Sequence, residues 1–225
     1  MQQDNITWIM NNTRENTDKL TELYKKYPHA IKEVYMKTFG NHETDHLLRA
    51  ILSECKGLEK LTCEKIGEAF SPIESPVSNQ ILSSSLIALR LIVTEIQPEA
   101  LSVYSYAFPE LRNLIIESFY FDEIPPVFEI DMSKAKFSHL QIHLDSDLFI
   151  PDGCESEVKE VVLEITSQKS SPTRFLTNFA APNQMKEFTA NKEYGRKFVI
   201  NCADIDFLSL SIDKTHVLKK CPLFL

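Results

Sequence analysis

At 225 residues with 43% hydrophobic side chains, the chain can bury a sizeable core, which excludes a disordered tail as its main state. Its 24 basic residues against 32 acidic ones leave a formal charge of -8, a sign that repels phosphate backbones and anionic lipid heads, so neither nucleic acid nor a membrane surface is expected as a partner. Five glycines leave no phosphate-cradling loop and no dinucleotide fingerprint.

Five cysteines (Cys55, Cys63, Cys154, Cys202, Cys221) are odd in number and lack CxxC spacing. They fit neither a disulfide framework nor a zinc knuckle and are expected as reduced thiols, some of them in the core. The opening MQQDNITWIMNNTRENTD has no basic segment followed by an apolar one, and no run approaches the roughly 20 apolar residues of a bilayer span. The expected compartment is the cytoplasm or nucleus.

One short pattern, apolar-x-x-apolar-x-apolar, recurs along the chain. After a weak N-terminal copy at Ile6 and Ile9 it appears as Ile31, Val34, Met36, then Leu58, Leu61, Cys63, then Leu86, Leu89, Leu91, then Leu111, Leu114, Ile116. It continues as Phe137, Leu140, Ile142, then Val158, Val161, Leu163, then Met185, Phe188, Ala190, and finally Ile205, Leu208, Leu210. The starting positions step by 27, 28, 25, 26, 21, 27 and 20 residues. The last two apolar positions of each copy are two apart, which is the spacing of a strand with one face buried.

Between these strands, DKLTELYKKY, HLLRAILSEC, ALSVYSYAF and TRFLTNFAA carry helical apolar spacing and precede the strands at Ile31, Leu58, Leu111 and Met185. The junctions YPHAI, ECKGL, AFPEL and APNQM end each helix at a small residue or proline. Residues 67–80 and 121–136 hold prolines and charges where a helix is due, and read as loops or broken helices. Strands alternating with helical crossovers imply parallel strands. The expected fold is therefore α/β, a leucine-rich-repeat solenoid with a curved parallel sheet on its concave face and helices on its convex face. It forms one unit over residues 1–225, with about eight irregular repeats and an incomplete last one at THVLKKCPLFL.

HLLRAILSECKGLEKLTC and ALSVYSYAFPELRNLII resemble repeats of F-box type leucine-rich-repeat proteins. The resemblance implies a horseshoe that holds a partner protein, often as the substrate receptor of a ubiquitin ligase. No F-box-like helical segment stands before the repeats, so a ligase adaptor as partner requires an F-box upstream. The family's Asn or Cys after the LxL strand is replaced by Phe39, Ile66, Thr94, Phe119, Asp145, Thr166, Glu193 and Asp213, which predicts irregular turns.

With the motif residues facing inward, the residues between them face outward on the concave sheet. The expected binding surface comprises Tyr35, Lys60, Arg90, Ile92, Ile115, Glu117, His139, Gln141, Val162, Glu164 and Phe207, an apolar centre inside a charged rim. No catalytic, cofactor or metal residues are assigned. His139 and His143 stand about 13 Å apart along a strand, too far for one metal ion. His42 and His46, beside Glu43 and Asp45, lack a third placed ligand. Cys154 sits in the acidic turn PDGCESE, where carboxylates raise a thiol pKa. Trp8 reads as an end plug of the core. The expected role is a non-catalytic protein-binding scaffold, with an α/β enzyme of unknown reaction as the contrasting possibility.

Overall fold

The computed structural model describes residues 6–11, 14–39, 42–66, 81–93, 98–118, 127–144, 160–167, 170–178, 186–187, 197–212 and 215–218. In its first half, strands and helices alternate: β1 (Ile6–Asn11), α1 (Arg14–Lys26), β2 (Ile31–Phe39), α2 (His42–Glu54), β3 (Lys60–Ile66), β4 (Ala88–Val93), α3 (Pro98–Ala107) and β5 (Asn113–Ser118). In the second half every element among the described residues is a strand: β6 (Val127–Phe137), β7 (His139–Leu144), β8 (Glu160–Ser167), β9 (Ser170–Asn178), β10 (Lys186–Glu187), β11 (Lys197–Ile205), β12 (Leu208–Ile212) and β13 (Thr215–Leu218).

The strands form an eight-stranded sheet in the order β1-β2-β3-β4-β5-β7-β12-β13, with every pair parallel except β12 with β13. Its register follows the repeated motif. Val34, Leu61, Leu89, Leu114, Leu140 and Leu208 stand side by side in one row, and Met36, Cys63, Leu91, Ile116, Ile142 and Leu210 in the next but one. A one-residue slip would turn the buried side chains of these rows, from Val34 to Leu208 and from Met36 to Ile142, away from the core, so burial of one face dictates the register. At the N-terminal edge the matching residues are Trp8 and Met10, which pair with Val34 and Met36, whereas Ile9 pairs with Tyr35. Ile6 pairs with Ile31, the first motif position, but the register shift after it puts Ile9 out of phase with the ladder.

Helices α2 and α3 cover the motif face with stripes one turn apart, Leu47, Leu48, Ile51 and Leu52 on α2 and Leu101 and Tyr104 on α3, all buried in the same cluster as the strand residues. Each such side chain contributes roughly 1.5–3 kcal/mol through burial. The three helix ends share one junction: Ala30 N donates to Tyr27 O, Leu58 N to Cys55 O and Leu111 N to Phe108 O, closing a tight turn before each strand. Successive turns are stitched by backbone bonds from Glu59 N to Lys32 O, Ile87 N to Glu59 O, Arg112 N to Ile87 O and Ser138 N to Arg112 O. These bonds satisfy backbone groups where the chain enters each strand. Phe39 and Ile66, at the expected Asn positions, instead continue β2 and β3 as a registered pair.

A second sheet, ordered β10-β9-β8-β11-β6, corrects several expectations. Residues 121–136 are not a loop throughout: β6 spans Val127–Phe137, with Ile130, Met132, Ala135 and Phe137 buried. A register shift opposite Cys202 and Asp204, where Asp131 accepts a bond from Ser133 N, lets the spacing change from two to three and back. The described part of TRFLTNFAA, Thr173 to Asn178, is not helical but lies in β9, antiparallel to β8. Val161 and Leu163 of the copy at Val158 therefore lie in the second sheet, Met185, Phe188 and Ala190 lie outside the described residues, and β7 pairs directly with β12. THVL forms β13, which folds back on β12 rather than leading into another parallel strand.

Both sheets share one interior. Ile130, Met132 and Phe137 of β6 and Ile200, Cys202 and Ile205 of β11 belong to the cluster that α2, α3 and the first sheet build. β6 packs beside α3, with Lys134 Nζ 4.2 Å from the centre of the Tyr106 ring. Each of these two strands runs straight into a strand of the first sheet, β6 into β7 and β11 into β12. The layer that is helical over β2 and β5 is thus continued by strands over β7 and β12. Residues 67–80 lie outside the described residues.

Candidate interaction face

Strand alternation places the residues between the motif positions on the other side of the first sheet. Three rows result: Glu33, Lys60, Ala88, Asn113 and His139; then Tyr35, Thr62, Arg90, Ile115, Gln141 and Ser209; then Lys37, Glu64, Ile92, Glu117, His143 and Ser211. Most are half-buried because neighbours about 4.8 Å apart shield one another. All three helices, with β6 and β11, supply side chains to the core on the opposite face, so none of these described elements covers this one.

Cross-strand pairs organise the rows. Glu64 on β3 accepts from both neighbours on β2, the Tyr35 hydroxyl and Lys37 Nζ. Lys37 beside it, helped by the Tyr35 hydroxyl, holds the Glu64 carboxyl below the usual carboxylate range. The same contact with Glu64, with burial, pushes the Tyr35 phenol up. At neutral pH the pair is therefore carboxylate and phenol. One step along, Arg90 Nη2 lies 2.8 Å from Glu117 Oε1 and 3.2 Å from Oε2. Ile92 sits between Glu64 and Glu117 in its row, and Ile115 between Arg90 and Gln141, so two isoleucines lie within a frame of paired charges.

Beyond β5 the face turns aromatic. The rings of His139 and Phe207 stack at 4.6 Å with 15° between planes, and His139 Nε2 is 3.5 Å from Gln141 Oε1. Phe207 reaches His139 because β12 adds directly to β7.

The sequence-derived surface is thus assembled in large part. Tyr35, Lys60, Arg90, Ile92, Ile115, Glu117, His139 and Gln141 share the face, and Phe207 borders it. Val162 and Glu164 do not: both lie on β8 in the second sheet, where Val162 pairs with Leu176 and Lys197 and Glu164 with Arg174 and Val199. Lys37 and Glu64 belong to the site although they stand outside the expected set. Their signal was their place in the rows, with opposite charges one strand apart.

Cys55 and Cys202 are buried on the other side, where desolvation lifts their thiols to about 11 and about 12. Cys63 is likewise buried and not in a disulfide, while Cys154 and Cys221 lie outside the described residues. His42 and His46 fall in α2, with side chains outside the described set. Among the described residues no group of three metal-ligating side chains occurs, and no helix is long and apolar enough to cross a membrane. In comparisons with known proteins, no protein-family model, no curated protein and no solved structure matches the chain.

Proposed function

We propose that the chain is a non-catalytic scaffold of leucine-rich-repeat solenoid type that holds a partner protein on the concave side of its parallel sheet. The observation that carries this reading is the continuous row structure from β2 to β12: consecutive parallel strands present Tyr35, Arg90, Ile92, Ile115 and Gln141 on one open face. Ion pairs across neighbouring strands hold the long side chains in place before any partner arrives, which lowers the ordering cost of association. The two isoleucines inside paired charges match the apolar centre and polar rim of a protein interface.

The test compares the wild-type chain with Arg90→Glu and Ile115→Lys on the face and with Lys25→Glu on exposed α1, in affinity capture followed by mass spectrometry. A protein retained by wild type and Lys25→Glu, and lost with both face variants, supports the reading. A protein that survives both face variants but is lost with Lys25→Glu places binding on the helical side and refutes it.

A further inference from the structure

The two ends of the eight-stranded sheet are not alike. At one end β13 turns back antiparallel on β12. At the other, β1 is the outermost strand, and among the described residues no strand pairs with its free edge. Natural sheets blunt such edges with charges, prolines or bulges. β1 reads Ile-Thr-Trp-Ile-Met-Asn, without charge or proline, and its one register shift falls at Ile6/Thr7, leaving Thr7 to Asn11 in straight register.

Lys19, Glu22, Leu23 and Lys26 of α1, with Tyr27 just past its end, line a shallow groove of about 300 Å³ at the spacing of one helical face. Tyr27 is 46% exposed, with Lys26 Nζ 5.1 Å from its ring centre.

We propose that this end is a self-association surface, where two copies pair about a two-fold axis with β1 antiparallel to the partner's β1 and α1 antiparallel to the partner's α1. A two-fold closes the contact at two copies, whereas head-to-tail stacking of β1 on the next copy's β13 leads to a filament. Head-to-tail stacking also mismatches the second layer, which is helix at the β1 end and strand at the β13 end. The charges of α1 suit the two-fold. Glu22 and Lys26 are both exposed and one turn apart, so antiparallel helices set each Glu22 against the partner's Lys26, while Leu23 packs inward against the core. A six-residue strand and a 13-residue helix each run about 20 Å, a footprint at the small end of specific interfaces, so the association is expected at micromolar concentrations.

Sedimentation velocity of the full chain from about 1 to 200 μM reads this directly. The expected result is a monomer–dimer equilibrium weakened about tenfold or more by Glu22→Lys and by Lys26→Glu alone. An equimolar mixture of the two variants brings opposite charges together at both contacts and dimerises more tightly than either variant by itself. Both changes are at exposed helix positions, and unchanged circular dichroism and melting temperature show that the variants fold. A monomer throughout the range overturns the proposal, as do growth past the dimer and failure of the mixture to recover association. Arg90→Glu on the sheet face serves as the control: unchanged dimerisation is expected, and its loss shows that copies meet through the sheet face instead.

Discussion

Gly57 sits where two turns stack. A Cβ built there would lie 2.6 Å from the carbonyl oxygen of His29 and 3.3 Å from its carbon. Those are backbone atoms of the preceding turn and are held by the junction hydrogen bonds, so they cannot swing aside as a side-chain tip would. Gly57→Ala is expected to destabilise the protein by about 1–3 kcal/mol, the usual cost of overpacking, measured as a lower urea midpoint at unchanged m-value. On the other face, Glu64 gives stability a pH dependence of known sign. Its carboxyl binds protons less readily when folded than when unfolded, so its contribution is present above the ordinary glutamate value of about 4.3 and is lost as pH falls through the lower folded value. Glu64→Gln should flatten this acid limb in urea titrations between about pH 3 and pH 6, and an unchanged limb shows that the Lys37 and Tyr35 contacts do not hold in solution. Neither residue stands out in the sequence: glycine was informative there only through its scarcity, and Glu64 needs its neighbours on β2 to acquire a role.

At the scale of elements, what could be read and what could not divide by locality. α1, α2 and α3 carry their own 3.6-residue stripes and end at their own turns, so DKLTELYKKY, HLLRAILSEC and ALSVYSYAF announce them without reference to the rest of the chain. The parallel register from β2 to β7 was legible for a related reason, because the motif repeats and a buried face permits one alignment. β6 was hidden by its own irregularity: two extra residues between Met132 and Lys136 break the alternation, and acidic residues and prolines precede it. β9 was hidden because TRFLTNFAA satisfies helical and strand spacing alike, and its link to β8, Gln168-Lys169, lacks the Asn-Gly or Asp-Gly signature of a tight hairpin. The partner strand that decides between the two, β8, lies in the same ambiguous region. The candidate face followed the same division, with the rungs from β2 to β7 placed as expected and the pair on β8 displaced. Met132 provides the discriminating measurement. As a fully buried side chain of β6, its change to alanine is expected to cost about 2–5 kcal/mol. In an exposed loop the same change stays within about 0.5 kcal/mol, and that outcome in urea unfolding would remove β6 from the core.

Across the whole molecule, the two halves use different second layers over one sheet, which raises the question of how far a local disturbance spreads. Repeat arrays in which each unit touches only its neighbours lose cooperativity as they lengthen, since one end can open while the other stays folded. Here the buried cluster runs without interruption from Tyr24 through α2 and α3 to β6, β11 and Leu208, and strands β6 and β11 each continue into the first sheet. Phe137 stands at the hinge of that arrangement, buried, last in β6 and immediately ahead of β7. Trp8, the sole tryptophan, lies on β1 at the far edge of the sheet and reports on that end alone, whereas far-ultraviolet circular dichroism reports on every strand and helix. Phe137→Ala should cost about 3–5 kcal/mol and move the urea midpoints of both signals together, because the loss at the junction is shared by the entire interior. A tryptophan midpoint that stays in place while the circular-dichroism midpoint falls would mean that the β1 end folds independently of the β6–β7 junction, and the single continuous interior would then have to be divided.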